Sequence, residues 1–171
     1  MFKKILLAIA LILPISAIAQ TKFGVVDLEP IFQSLPEFTA MQTQLTDSSK
    51  KYEEEFQKLQ DEVNKLYADF QTIQNDPQTP ESIKERRMQD IQTRYEKLTE
   101  FRNTAEQDLQ RLQQQLMVPI HQKVTEAIKA VGQEGSYTFI FPNEPSMLLY
   151  QGVDVVNLTE AVKAKLATAA K

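Results

Sequence analysis

The sequence predicts an α+β protein in which a long antiparallel coiled-coil hairpin of two helices projects from a small β-rich base. Three observations support this prediction. First, apolar residues recur with alternating spacings of four and three at Tyr52, Phe56, Leu59, Val63, Leu66, Phe70 and Ile73. Second, a turn-forming segment at about 75–80 marks a tip. Beyond it the helical apolar pattern resumes at Ile83, Met88, Ile91, Tyr95, Leu98, Ala105, Leu109, Leu112 and Leu116. Third, short stretches rich in β-branched and aromatic residues occur towards the two ends of the chain.

The first apolar repeat is typical of a coiled-coil seam, because a period of 3.5 residues keeps one narrow stripe facing a partner helix. Residues 35–119 are therefore assigned to the hairpin. Ser34 and Glu37 have the spacing of a capping box and predict the start of the first helix. Thr79 is expected to cap the returning helix, with Pro80 as its first residue.

Residues 20–34 and 120–171 are predicted to form the base. Pro119 predicts a bend where the hairpin joins this base, because proline removes a backbone hydrogen bond from a helix. Within the base, residues 22–27 predict a short strand. Asp27, at the end of that strand, is expected to cap the single helical turn that follows.

Two further strands are expected at residues 137–141 and 147–151, joined as a β-hairpin around a proline-containing turn. Asn157 and Glu160 repeat the capping-box spacing before a final amphipathic helix. The tripeptide Asn157-Leu158-Thr159 also matches a glycosylation sequon. We interpret it as a helix cap, because capping accounts for the same residues.

Residues 1–19 have the features of a secretory signal peptide. Lys3 and Lys4 precede an apolar run, and Ala17-Ile18-Ala19 is a small-residue pattern suited to cleavage before Gln20. The run is too short to span a bilayer comfortably, so a retained membrane anchor is the less favoured alternative. The chain has no cysteine, which excludes both lipidation at an N-terminal cysteine and disulfide bonds. We therefore expect an exported protein without stable membrane insertion after cleavage.

The composition of the chain limits its partners and its source of stability. The formal net charge is −4 over 171 residues, and it becomes −6 once Lys3 and Lys4 are removed. No nucleic acid partner is expected, because nucleic-acid binding needs a surplus of basic side chains. Only four glycines and no tryptophan, together with many Gln, Glu, Lys and Leu residues, indicate long helices. A chain that consists mostly of long helices has only a small apolar core of its own, so association of several copies is expected to stabilise the protein.

The sequence shows no recognisable catalytic, cofactor or metal motif. His121 is the only histidine, and no glycine-rich phosphate loop is present. We interpret His121 as a polar helical residue near the base rather than as a proton-transfer group. Glu53, Glu54 and Glu55 are consecutive and point in different directions on a helix, so we interpret them as a solvated face. We therefore expect no enzymatic activity, no cofactor and no metal.

Some side chains of the hairpin are candidates for contact with other molecules. Tyr67 on the first helix and Phe101 on the second lie outside the strict heptad positions. Packing of the two arms accounts for most of the apolar stripe, but scattered aromatic and methionine side chains on an arm suit weak binding of many unfolded chains. The basic residues Lys84, Arg86 and Arg87 are either a solvated helix face or a patch near the tip that steers a partner.

The order of these elements resembles that of the Skp/OmpH family of periplasmic chaperones. The resemblance is carried by Phe23-Gly24-Val25-Val26-Asp27, the long charged hairpin, Val131-Gly132-Gln133-Glu134-Gly135-Ser136-Tyr137-Thr138-Phe139-Ile140-Phe141, Leu148-Leu149-Tyr150 and the capped last helix. It implies a homotrimer in which the β-rich bases associate and three helical hairpins surround a cavity like tentacles. It also implies a periplasmic holdase that keeps unfolded outer-membrane β-barrel proteins in this cavity without ATP.

The resemblance also suggests which residues contact partners. For contact between the bases, the candidates are Phe23, Val25, Ile140 and Leu149. For contact with client proteins in the outer part of the arm, the candidates are Tyr67, Phe70, Ile73, Lys84, Arg86, Arg87, Met88 and Ile91. Familiar members of the family are strongly basic, whereas this chain is acidic, so we expect clients to be held mainly through apolar contacts. Asn157 stands where many members have aspartate, and either residue caps a helix.

Two other functions fit the sequence less well. An exported coiled-coil adaptor would tether envelope components without binding unfolded proteins. Adaptors of the membrane-fusion type normally carry extra β domains beside the hairpin, however, and this chain has room for one small base. An enzyme would need a nucleophile, a base and an orienting group, and the sequence supplies no plausible set.

Overall fold

The computed structural model describes residues 21–169, so the predicted signal peptide and Gln20 lie outside the described residues. In chain order the elements are strand β1 (Phe23–Val26), helix α1 (Leu28–Gln33), helix α2 (Pro36–Gln74), helix α3 (Glu81–Glu134), strand β2 (Phe139–Pro142), strand β3 (Val156–Asn157) and helix α4 (Thr159–Ala169). The predicted α+β class, with a long helical hairpin on a small β base, is confirmed. Within residues 21–169, no helix combines the length and the apolar character needed to cross a bilayer.

Helices α2 and α3 form the hairpin and contain 39 and 54 residues. At 1.5 Å per residue, α2 is a rod about 58 Å long. The predicted seam on α2 is confirmed, because its residues are at least partly shielded from solvent while the side chains between them are exposed. Phe70 is the most deeply buried member of the seam, and Leu98 and Ala105 are buried on the facing helix.

Polar contacts across the hairpin add to the apolar seam. The Tyr52 hydroxyl donates a hydrogen bond to Asp108 Oδ2 on the opposite helix at 3.0 Å, and the Tyr52 ring lies 6.0 Å from that of Phe101. The hydrogen bond to Asp108, assisted by burial, raises the pKa of Tyr52. Arg94 pairs with Glu62 across the arms at 3.2 Å, but both side chains are about half exposed, so this ion pair contributes little to stability.

The tip of the hairpin is a turn organised by Asp76. Its Oδ1 accepts a hydrogen bond from the backbone N–H of Gln78 at 3.0 Å, and its Oδ2 accepts one from the Thr79 hydroxyl at 2.7 Å. Both hydrogen bonds lower the pKa of Asp76, and the bond from Thr79 has the larger effect. The prediction that Thr79 caps the returning helix is wrong. Pro80 occupies the N-cap position and α3 begins at Glu81, because the Thr79 hydroxyl is bound to Asp76 instead.

The capping box predicted at the start of α2 is also wrong. Leu35 occupies the N-cap position, without a side-chain cap hydrogen bond. The Ser34 hydroxyl donates instead to the backbone carbonyl of Ile31 at 2.6 Å, at the end of α1. Glu37 accepts a hydrogen bond from Lys123 of α3, which lowers the pKa of Glu37. Both side chains therefore serve contacts that their spacing in the sequence does not reveal.

The base contains a parallel sheet of three strands in the order β2-β1-β3. The central strand, β1, pairs in parallel with both of its neighbours. The predicted β-hairpin of residues 137–141 and 147–151 is wrong. Strand β2 pairs with β1 instead, and residues 147–151 belong to the connection that carries the chain back to the start of β3. There the backbone N–H groups of Met147 and Leu148 bond to Glu144 O in a local turn. Two parallel strands of one sheet require such a crossover, whereas an antiparallel hairpin does not.

The apolar core lies in the base, where β1, α1, α4 and the lower end of the hairpin meet. Its buried residues are Val26, Ile31, Phe32, Leu35, Met41, Ile120, Val124, Ala127, Val131, Leu158, Val162 and Leu166. Gly24 permits close approach of β1 to the segment before α4, since a Cβ there would lie 2.5 Å from Leu158 Cδ1. Pro119 lies inside α3, which continues as a helix to Glu134. The bend expected at Pro119 stays a prediction.

Candidate functional site

The outer part of the hairpin carries an open groove of about 580 Å³ between the two arms. Its lining residues are Phe70, Gln74, Glu81, Lys84, Glu85, Met88, Gln89 and Gln92. The structure thus brings together three of the client candidates, Phe70, Lys84 and Met88. Phe70 is only 6% exposed, whereas Met88 is 46% exposed. Met88 therefore offers the larger apolar contact surface, and charged and amide groups surround it.

The remaining apolar client candidates differ in accessibility. Tyr67 is about half exposed, whereas Ile73 and Ile91 are partly buried and contribute mainly to the seam. Ile83 and Tyr95 on α3 are also exposed, although they are absent from the set of candidates. Their apolar spacing was visible in the sequence. The pattern on α3 is less regular than that on α2, so only the packing of the arms shows which of its side chains face outward.

The basic candidates add a small charged patch beside the groove. The Lys84 side chain is mostly shielded, and its ammonium group lies 3.9 Å from the Glu81 carboxylate. Arg86 and Arg87 are exposed on the same helix. Because Lys84 is already paired with an acid, the free positive charge of the patch comes mainly from the two arginines. Whether the patch steers a partner stays an open prediction.

The outer face of the sheet carries a row of stacked aromatic side chains, which we call the aromatic row: Phe23, Phe139 and Phe141. The ring centroids of Phe23 and Phe139 are 6.2 Å apart, and those of Phe139 and Phe141 are 5.9 Å apart. All three side chains are exposed. Strand alternation places Val25 on this same face, but Val25 is only 2% exposed. Ile140 lies on the opposite face and packs against the core, so Phe23 is the accessible base candidate of the sheet.

Residues 143–155 connect β2 to β3 and are called the base loop. Four of its large apolar side chains are highly exposed: 66% for Met147, 94% for Leu149, 84% for Tyr150 and 100% for Val153. Leu148 and Val155 are partly buried. Leu149 is one of the base candidates, whereas the other three exposed residues are not. Their apolar character was visible in the sequence, but it suggested a strand. A strand would have buried alternate side chains, so the prediction concealed how much apolar surface this segment presents.

Asp27 lies at the end of β1 and links the ends of all three strands. Its carboxylate accepts hydrogen bonds from Asn143 Nδ2 at 2.7 Å, from Asn157 Nδ2 at 2.8 Å and from the Thr159 hydroxyl at 3.2 Å. The bond from Asn157, followed by that from Asn143, lowers the pKa of Asp27, with a minor effect of the Lys163 charge. Asp27 does occupy the N-cap position of α1, but its side chain makes no cap hydrogen bond. The predicted capping role of this carboxylate is therefore wrong.

Two other features of the sequence have structural roles. Asn157 Oδ1 accepts a hydrogen bond from the backbone N–H of Thr159, the first residue of α4, at 3.0 Å. The capping box predicted from Asn157 and Glu160 is wrong, because the Glu160 carboxylate pairs with Lys163 instead. His121 is exposed, and its ring packs edge-on against Phe32 with a centroid distance of 4.9 Å. In the part of the chain that the structure describes, no three His, Cys, Asp or Glu residues are placed to hold a metal ion.

The long hairpin has an open groove near its tip, and it is carried on a small sheet with an exposed aromatic row. These features define an arm-on-base protein whose surfaces suit the binding of other polypeptides. Residues 22–166 match the family model described as "Outer membrane protein (OmpH-like)". The chain belongs to this family. The membership expected from the order of its elements is thereby confirmed.

The fold is similar to that of a crystal structure from Caulobacter crescentus, a protein provisionally assigned as an outer membrane chaperone (OmpH-like). The TM-score is 0.70 at 12% sequence identity, and the alignment covers 88% of this chain and 86% of that chain. At this identity the likeness shows the fold alone. A comparison with curated proteins gave no match.

Proposed function

We propose that this protein is a periplasmic holdase chaperone. As a homotrimer, it holds unfolded outer-membrane β-barrel proteins in a cavity between its helical arms and prevents their aggregation without ATP. The observation that carries the proposal is the exposure of large apolar side chains along the outer part of the arm, at Tyr67, Ile83, Met88 and Tyr95. Membership of the OmpH-like family supports it, as does the chaperone assignment of the Caulobacter protein that shares the fold.

Exposed apolar side chains on a rod suit unfolded chains better than folded partners. An unfolded β-barrel protein presents many apolar stretches, and its contact with any one arm residue is weak. At roughly 25 cal/mol per Å² of apolar surface removed from water, several contacts are needed to hold a chain. Each contact raises the effective concentration for the next. The client can leave as these contacts exchange, so release requires no ATP, and strands that are held apart cannot pair edge to edge.

Association through the base is the second part of the proposal. The aromatic row and the base loop together expose seven large apolar side chains on the small base, and large exposed apolar patches mark sites of protein interaction. Phe23 and Leu149 are accessible for direct contact with a neighbouring copy. Val25 and Ile140 are shielded in the protomer and support the interface from within. Burial of this surface between copies would add to the stability of a protomer whose own apolar core is small.

The proposal assigns client binding mainly to apolar contacts. The chain is acidic overall, Lys84 is paired with Glu81, and only Arg86 and Arg87 add exposed positive charge to the groove region. Surface charges are screened by salt, whereas apolar contacts are not weakened by it. Client affinity is therefore expected to change little with ionic strength.

An aggregation assay tests the proposal. An outer-membrane β-barrel protein is diluted from urea, and light scattering is followed with and without the chaperone. We expect scattering to be suppressed at a ratio of one trimer per client. The double variant Tyr67→Ser/Met88→Ser should require several-fold more protein for equal protection, because it removes two exposed apolar contacts. Val118→Ser is the matched control, since Val118 is similarly exposed but lies near the base end of α3.

Equal protection by the double variant and the control would contradict the assignment of client contacts to the outer arm. A stable monomer in multi-angle light scattering would contradict the trimer. If the protein gave no protection and instead bound one folded envelope protein at fixed stoichiometry, the adaptor function would be the better account.

A further inference from the structure

Both ends of the base loop are attached to one carboxylate. At its start, Asn143 Nδ2 donates to Asp27 Oδ1 at 2.7 Å. Just beyond its end, Asn157 Nδ2 donates to Asp27 Oδ2 at 2.8 Å. The backbone holds the same two points, because Asn143 N–H donates to Val26 O and Leu158 N–H donates to Val25 O, each at 2.8 Å. The chain between these points is therefore a closed loop whose ends meet at the end of β1.

The loop is shaped by two local turns between these attachments. The backbone N–H groups of Met147 and Leu148 donate to Glu144 O at 2.9 and 2.8 Å, and that of Val155 donates to Gly152 O at 3.3 Å. No strand ladder includes the loop within the described residues. At each of its two ends Asp27 provides a side-chain attachment that fixes the loop relative to the sheet.

The loop and the aromatic row both expose large apolar side chains on the same small base. Phe141 belongs to the row, and the loop begins two residues later at Asn143. Leu149 and Tyr150 are almost fully exposed at the far part of the loop. A surface of this kind is expected to be covered by another protein. Because the loop belongs to the base that is proposed for assembly, and the apolar core of one copy is small, a second copy of this chain is the occupant that the structure favours.

We propose that Asp27 is a positioning residue for assembly, which orients the base loop so that its apolar side chains contact the neighbouring copies. This inference rests on the assembly proposed above and names the group that prepares its interface. A preorganised loop loses less conformational entropy when copies associate than a free one does. Asp27 is well suited to this role, since hydrogen bonds to an ionised carboxylate are stronger than those between neutral groups. The same donors lower its pKa and keep it ionised near neutral pH.

The sharpest test removes the attachment at the start of the loop and leaves the rest of the base intact. Asn143→Ala deletes one donor to Asp27, while Asn157 and Thr159 still bind the carboxylate. We expect the concentration at which the trimer dissociates to rise several-fold, because the freed loop has to be ordered when the copies associate. Hydrogen exchange within residues 144–156 should become faster. Far-ultraviolet circular dichroism should not change.

Thr79→Ala is the matched control. It also deletes one hydrogen-bond donor to a carboxylate, because the Thr79 hydroxyl donates to Asp76. The pKa of Asp76 is lowered, as is that of Asp27. Asp76 lies in the turn at the tip, at the other end of the hairpin. The control should leave trimer dissociation unchanged. If Asn143→Ala proves unfolded by circular dichroism, Leu149→Ser replaces it, because Leu149 is 94% exposed and its loss cannot disturb the protomer core. That variant should also weaken the trimer.

The possible results separate this inference from the proposed function. If the folded Asn143→Ala trimer dissociates at the same concentration as the Thr79→Ala control, the proposed role of Asp27 is overturned. The proposal that the protein is a trimer would still stand. Unchanged assembly of Leu149→Ser, with weaker protection of an unfolded client, would assign the loop to clients and also overturn the inference. A wild-type chain that is monomeric at every concentration would instead refute the assembly on which the inference rests.

Discussion

The hairpin and the base of this protein are stabilised in different ways. In the hairpin, successive turns of α2 each place about one side chain in a narrow seam, and the other positions face solvent. In the base, residues such as Ile31 and Val162 are fully buried, and they come from elements far apart in the sequence. Hairpin stability is thus spread over many small contacts, whereas base stability depends on a few large ones.

This difference suits the two roles proposed for the regions. A rod with distributed contacts can open locally near its tip without loss of the whole fold, because local opening disrupts only the nearest part of the seam. The base has to keep its shape if it is to associate with other copies. Three experiments would sharpen or break this comparison between the regions.

The largest effect is expected in the core of the base. Ile31→Ala should lower the free energy of unfolding by about 3 kcal/mol, because a side chain with 0% exposure leaves a cavity that its neighbours fill only in part. The matched variant Leu59→Ala, at a partly buried position of the seam, should lower it by about 1 kcal/mol, in proportion to the smaller buried area. Urea unfolding at one fixed protein concentration measures both. Similar losses would contradict the distinction between core and seam.

An intermediate effect is expected on acidification of the base. The pKa of Asp27 is lower in the folded than in the unfolded chain, so its contribution to stability is fully present above its ordinary pKa of about 4. That contribution is lost as the pH falls through the folded pKa. Unfolding of the wild type should therefore become easier below about pH 4. Asp27→Asn should be less stable than wild type at neutral pH, and its stability should fall less with acidification.

Other carboxylates also have lowered pKa values, notably Glu37 and Asp76. The informative quantity is therefore the difference in the free energy of unfolding between wild type and Asp27→Asn at each pH. If the free energies of unfolding of wild type and Asp27→Asn differ by the same amount at every pH down to the acid transition, Asp27 does not contribute to the acid sensitivity of the base.

The smallest effect is expected at the polar contact across the arms. Tyr52→Phe deletes the hydroxyl that donates to Asp108 and should lower the free energy of unfolding by about 1 kcal/mol or less. Hydrogen exchange should accelerate in the neighbouring turns of α2 and α3 and not in the base. Tyr95→Phe is the matched control, since Tyr95 is exposed on the outside of the arm, and it should have no effect. Faster exchange in the base of Tyr52→Phe would show that the two regions are not independent.

Elements with regular periodicity were predicted well from the sequence. Tyr52 to Ile73 have the alternating spacing of a seam, and these side chains are the shielded ones on α2. The turn at 75–80 was also recognisable, because it is rich in residues that favour turns. Both signals are local, since each depends only on residues a few positions apart.

Roles that depend on a choice among hydrogen-bond partners were predicted poorly. Ser34, Thr79 and Asp27 were each assigned to cap a helix, and each binds another group instead. A hydroxyl or carboxylate near a helix end has several possible partners, and the tertiary structure selects among them. The strand expected at 147–151 failed for a related reason. Its apolar residues would suit a strand, but the backbone N–H groups of Met147 and Leu148 bond to Glu144 O in a local turn, and β2 pairs with the distant strand β1 instead.

The binding roles of the candidate residues stay predictions, and the structure shows only how accessible each residue is. Met88 and Tyr67 are exposed on the outer arm as a binding role requires, and Phe70 lines the groove from the seam side. Ile83 and Tyr95 were not among the candidates, because exposure on the less regular helix depends on how the arms pack. The part that Asp27 plays could not be predicted, since its partners lie more than 100 positions away in the chain.

The sequence by itself determined that two long helices pair along a seam, that the chain turns back between them and that the ordered elements match the OmpH-like family. These properties follow from the spacing and order of residues along the chain. The tertiary structure alone decided the parallel pairing of the three strands, the exposure of the base loop and the convergence of its two ends on Asp27. These depend on contacts between segments that are distant in the chain, and distant contacts leave no periodic signal in the residues that make them.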